Sequence, residues 1–169
     1  MEWYVLTIAA LCAVAFMVGL AAGQRLAWAS LILLANYALC SASIIGGADP
    51  VTAKVIASVL DLAALCAVLH ALRAFPCSSG LHLAGGAMLL SLISHWAAHV
   101  AGGVHGLQVT GPYFITTNSA MAVAALGLIW AGLLRWGARH GMAGWLPDPL
   151  GWNGAWRVPV GAASKAARP

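Results

Sequence analysis

The sequence predicts an all-α integral membrane protein, a single bundle of about five transmembrane helices with the N-terminus outside and the C-terminus inside. Three observations lead there. Of the 169 residues, 62% are hydrophobic and 7% are charged, against roughly 25% charged in an average soluble domain. The apolar residues fall into runs of about 20, the length a helix needs to cross about 30 Å of hydrocarbon. Arginine recurs at alternate connections between these runs, as expected when basic residues are retained on one side of a membrane. The bundle should occupy 1-140, with spans at about 3-22, 26-45, 51-72, 81-102 and 112-134, and a separate tail should occupy 141-169.

The first span starts at Trp3 and Tyr4, whose amphipathic rings suit a headgroup belt, and ends before Gln24 and Arg25. A cleaved signal peptide would carry a basic leader and a shorter apolar run. Here Glu2 is the only early charge, so a retained helix is expected. Gly19 and Gly23 have the spacing that lets a second helix approach closely. The second span turns polar in its later half, at Asn36, Tyr37, Cys40, Ser41 and Ser43, and that half should face protein. The connection Gly46-Gly47-Ala48-Asp49-Pro50 is short, with Pro50 suited to the first turn of the next helix, so spans two and three should form an antiparallel hairpin.

The third span carries Asp61 close to its centre. A carboxylate there costs about 2.5 to 3.5 kcal/mol on insertion scales, so it should face the bundle interior with a partner. A polar connection from Arg73 to Gly80 leads to the fourth span, which carries Ser91, Ser94, His95 and His99. A Gly-rich stretch from Gly102 to Gly111 then reaches Pro112 and the fifth span. Arg25, Arg73, Arg135, Arg139, Arg157, Lys165 and Arg168 all fall on one side of this path, while Glu2, Asp49 and Lys54 fall on the other. The positive-inside rule therefore gives N-terminus out and C-terminus in. Basic residues beside spans also favour anionic lipid, and nucleic-acid binding is not expected.

The tail reads differently. Pro147 and Pro149 oppose a long helix, while Trp145, Trp152 and Trp156, with Arg157 nearby, suit headgroup depth or the inner rim of a partner protein. Docking on a partner membrane protein or on a second copy of the chain is expected there, with a disordered terminus as the alternative.

Counting about 1.5 Å of rise per residue brings Asn36 and Asp61 to similar depths near mid-membrane, with His95 slightly outward and His99 and Asn118 further outward. Ser91, His95 and His99 share one face of their helix, as do Lys54, Ser58 and Asp61 on theirs. A polar cluster of Asn36, Asp61, His95, His99 and Asn118 is therefore expected, opening outward past Lys54. A carboxylate and an imidazole in low dielectric can exchange a proton, and they can equally serve to fix helix packing.

Metal chemistry finds little support. His95 and His99 are spaced to chelate, yet no Glu lies in any span and the His-Glu-x-x-His pattern is absent. His70 sits near the inner face while His95 and His99 are on one helix in the outer half, a mismatch for haem b, which is kept only as a minor electron-transfer alternative. The cysteines, Cys12, Cys40, Cys66 and Cys77, form no C-x-x-C pair. No phosphate loop or nucleophile elbow is present, so neither enzymatic activity nor a cofactor is expected.

The elements Asn36-Tyr37 through Cys40, Asp49-Pro50, Asp61-Leu62, His95 and Tyr113 through Thr117 resemble those of small multispanning membrane proteins encoded by phages and prophages. The resemblance covers spans two to five and brings no established activity. It implies a holin-like or envelope-modifying role, or a component of a larger assembly, in a bacterial inner membrane. The leading expectation is an accessory or assembly subunit that docks on partner membrane proteins. A pore or proton-coupled transport element using Asp61 and His95 is the alternative.

Overall fold

The computed structural model describes residues 2–47, 49–105 and 111–140. The described residues form five helices, α1 (Glu2–Ala22), α2 (Gln24–Ile45), α3 (Pro50–Ala74), α4 (Ser79–His105) and α5 (Gly111–Arg139). Each contains a candidate span, of 20, 20, 24, 23 and 27 residues in order, long and apolar enough to cross a bilayer. The protein is an all-α integral membrane bundle. The tail residues Trp145, Trp152, Trp156 and Arg157 lie outside the described residues.

Local sequence sets the helix ends. Asp49 caps α3, its carboxylate accepting from the N–H groups of Val51 and Thr52 at 3.0 Å each, with Pro50 in the first turn. A hydrogen bond with the Thr52 side chain, followed by those from the Thr52 and Val51 N–H groups, holds the Asp49 carboxyl below its ordinary value. Ser78 starts α4 by accepting from the Leu81 N–H at 3.4 Å. Two helices overrun the lengths expected from apolarity: α4 continues to His105 and α5 to Arg139. Hydropathy falls at the hydrocarbon boundary but intrahelical hydrogen bonding does not, and arginine is a good helix former whose long side chain reaches water from a buried stem.

The helices are arranged cyclically. Each packs on its neighbours in sequence, α5 returns to pack on α1, and a lighter contact between α2 and α5 crosses the ring. That contact divides the bundle into an α1–α2–α5 part and an α2–α3–α4–α5 part. Small residues permit the tightest approaches. A Cβ placed on Gly80 would come within 2.3 Å of the Gly127 carbonyl oxygen, and one on Gly127 within 2.5 Å of the Gly80 oxygen. Backbone contact of this kind is how helices associate in lipid, where apolar burial alone gives little advantage. Gly19 plays the same part between α1 and α2, lying against Leu26 and Ala27. The apolar interior is mostly alanine, leucine and methionine, including Leu33, Ala64, Met88, Ala124 and Leu128, whereas Leu6, Val59, Leu90 and Ile115 point outward, as a lipid-facing surface requires.

Candidate functional site

Buried polar groups in this apolar interior form a connected chain across the α2–α3–α4–α5 part. Asp61 on α3 is 1% exposed and Asn36 on α2 fully buried. The Asn36 amide donates from Nδ2 to Asp61 Oδ1 at 2.7 Å. One turn along α2, the Cys40 thiol donates to Asn36 Oδ1 at 3.2 Å. A donor on its oxygen orients the amide so that its NH₂ group faces the carboxylate.

The second carboxylate oxygen turns towards α4. His95 Nε2 lies 3.1 Å from Asp61 Oδ2, yet the ring N–H is not aligned on that oxygen and Oδ2 has no hydrogen bond of good geometry. We therefore describe this contact as an ion-pair approach. The other imidazole nitrogen, Nδ1, is hydrogen-bonded to the Tyr113 hydroxyl in the first turn of α5. The two rings meet edge to face with centroids 5.4 Å apart. The result is a continuous series, Cys40, Asn36, Asp61, His95 and Tyr113, with all four helices of this part contributing.

The series has a direction. Asn36 and Asp61 are near the middles of their helices, His95 is nearer the end of α4, and Tyr113 is at the start of α5. It thus climbs from the bundle centre towards the arginine-poor end. With one proton between Asp61 and His95 the pair has zero net charge, either as carboxylate with imidazolium or as carboxylic acid with imidazole. Adding or removing a proton leaves a net charge in low dielectric.

The structure brings Asn36, Asp61 and His95 together and leaves the two outer members of the expected cluster apart. His99 is exposed on α4, one turn beyond His95. Asn118 donates its amide to the Phe114 carbonyl of its own helix at 2.8 Å, so its hydrogen bonding closes locally. Lys54 is half-buried, and its carbonyl accepts from the Ser58 hydroxyl at 2.9 Å. Tyr113 and Cys40 are the members that sequence reasoning did not place in the cluster. For Tyr113 a signal existed: it immediately follows Pro112 at the depth where the His95 face ends, but a tyrosine at a span boundary reads first as an interfacial anchor.

Among the described residues no three His, Cys, Asp or Glu side chains converge on a metal-sized site. Both ring nitrogens of His95 are engaged by Asp61 and Tyr113, which leaves neither for an axial bond in this arrangement. The four cysteines are unpaired thiols. No protein-family model, curated protein or solved structure matches this chain.

Proposed function

We propose that the protein handles protons within the membrane, with Asp61, His95 and Tyr113 passing a proton between the bundle centre and its arginine-poor end. The observation that carries this reading is the imidazole held between a buried carboxylate and a phenol, one nitrogen towards each. Starting from ionised Asp61, neutral His95 protonated on Nε2 and a Tyr113 O–H donating to Nδ1, the phenol oxygen takes a proton from the surface as its own proton moves to Nδ1. A turn of the imidazole that aligns its Nε2–H on Asp61 Oδ2, 3.1 Å away, then lets that proton move to the carboxylate. Asp61 ends protonated, His95 ends neutral with its proton on Nδ1, and Tyr113 is restored. Charge in the interior has changed by one at Asp61, which suits a site that couples protonation to transport or to helix packing.

In a bacterial inner membrane with the N-terminus out, as the arginine distribution favours, the relay would face the outer side. The accessory-subunit reading draws its docking surface from the tail and from no geometry within the bundle, so it ranks second. A holin-like pore would use the same carboxylate exposed to water, whereas Asp61 is 1% exposed.

The test is infrared difference spectroscopy of the purified chain in vesicles during a downward pH step. A rise in the protonated-carboxyl band is expected, and Asp61→Asn should abolish that part of the rise while leaving the protein's elution profile in detergent unchanged. A carboxyl band that is the same in wild type and Asp61→Asn at every pH would overturn the proposal.

A further inference from the structure

At the opposite end of the bundle, in the α1–α2–α5 part, three arginines gather where α1 turns into α2. Gly23 makes that turn with φ of 133°, a conformation L side chains rarely adopt. A Cβ there would lie 3.0 Å from Arg139 Nη2, so the Arg139 guanidinium rests directly over the glycine backbone. Arg135 precedes Arg139 by one turn on α5 and donates from Nε to the Ala22 carbonyl at 2.9 Å, closing the C-terminus of α1. Its guanidinium also covers the Phe75 ring, 4.0 Å from the centroid. Arg25 lies two residues beyond Gly23 in the first turn of α2, and the positive charges of Arg139 and Arg25 both act on Arg135.

These charges have no acidic partner among the described residues. The chain contains four acidic residues. Glu2 opens α1 and Asp49 caps α3, both at the other end, and Asp61 is engaged at the centre. Asp148 lies outside the described residues. The N-termini of α2 and α4 and the C-termini of α1, α3 and α5 all face this end, so its positive potential comes from the arginines and not from helix dipoles. Three guanidiniums crowded at the rim of five spans, with one Nε committed to a carbonyl, match a phosphate oxyanion, which arginine binds through paired N–H donors.

We infer that Arg25, Arg135 and Arg139 form a binding site for the phosphate of an anionic phospholipid headgroup, seated over the Gly23 turn. Lipid is the source the position favours, because the site sits where the apolar spans end and basic pockets between transmembrane helices meet headgroups. Arg135 holds α1 and α5 together as well as facing the ligand. Arg25 and Arg139 are exposed and are free to take the anion.

The experiment uses the full chain in a non-ionic detergent, titrated separately with phosphatidylglycerol, phosphatidylcholine and sodium phosphate, with binding followed by native mass spectrometry and thermal unfolding. Phosphatidylglycerol should be retained and should raise Tm, and phosphatidylcholine and inorganic phosphate should do neither. Arg25→Gln and Arg139→Gln should each weaken retention of phosphatidylglycerol about fivefold without changing Tm in its absence. Arg139→Lys keeps the charge but loses the paired donors, and should fall between wild type and Arg139→Gln. Equal retention of both lipids, unchanged retention in the Gln variants, or an equal response to inorganic phosphate would each overturn the assignment.

Discussion

The two ends of this bundle treat charge in opposite ways. In the α2–α3–α4–α5 part, a carboxylate is buried and almost every polar atom around it is engaged within the chain, by Asn36, His95, Tyr113 and Cys40. In the α1–α2–α5 part, three arginines crowd together at the rim with no described carboxylate to balance them. Depth accounts for the difference. Inside hydrocarbon an unpaired charge costs several kcal/mol and must be matched within the protein, whereas at the headgroup boundary water and lipid can complete the shell. The buried region is thus limited by its own partners, and the rim depends on what the membrane offers.

The contrast breaks most sharply at His95. His95→Phe removes the cation-forming group that lies against Asp61 and should lower stability by about 3 to 5 kcal/mol, the usual cost of leaving a buried charge without its partner. Thermal unfolding in detergent reads this, and the loss should be the same with and without anionic lipid. A lipid-dependent loss would mean that the two ends are energetically linked.

The rim can be broken through its backbone. Gly23→Ala forces a Cβ onto a positive-φ residue, at a cost of about 1 to 3 kcal/mol, and pushes it towards the Arg139 guanidinium. Both Tm and the retention of phosphatidylglycerol should fall. Retained lipid binding would detach the arginine site from the turn beneath it.

Tyr113→Phe sharpens the comparison from the other side. It keeps the ring packing on His95 and removes only the hydroxyl, so about 1 kcal/mol of stability should be lost while protonation of Asp61 after a pH step slows far more. Proportionate losses of both would show that the hydroxyl serves packing alone.

The smallest effect belongs to a charge in neither region. Asp49 caps α3 from outside the span, and its carboxyl is held below its ordinary value by the hydrogen bonds it accepts, chiefly from Thr52. A depressed value means that the cap stabilises the fold above the carboxylate range and that this contribution is lost as pH falls through the folded-state value. Asp49→Ala should therefore lower Tm slightly at neutral pH, and the difference from wild type should fade in acid. Asp49→Asn, which keeps the acceptor, should sit nearer wild type.

Much of the fold is legible in the sequence because hydrocarbon imposes one length on every span and the Asp49-Pro50 pair marks a helix start. Asn36, Asp61 and His95 are legible for a related reason: polar residues deep in apolar runs have few places to point. Helix ends were less legible, since α5 continues past Leu134 to Arg139 after hydropathy has declined. His99 and Asn118 share the outer half with His95, but depth does not fix azimuth, and one is exposed while the other bonds within its own turn. The arginines read in sequence as markers of one membrane side, and the convergence of side chains from different helices is absent from any single run of sequence.

The bond between Asn36 and Asp61 spans 25 residues, and the asparagine comes first. During synthesis α2 leaves the ribosome before α3, so the costly carboxylate enters the bilayer with a hydrogen-bonding partner already made. His95 follows only with α4. The α2–α3 hairpin is therefore a unit that can be inserted before the bundle closes, and the order of residues along the chain is also an order of assembly in which Asp61 and then His95 meet a partner made earlier.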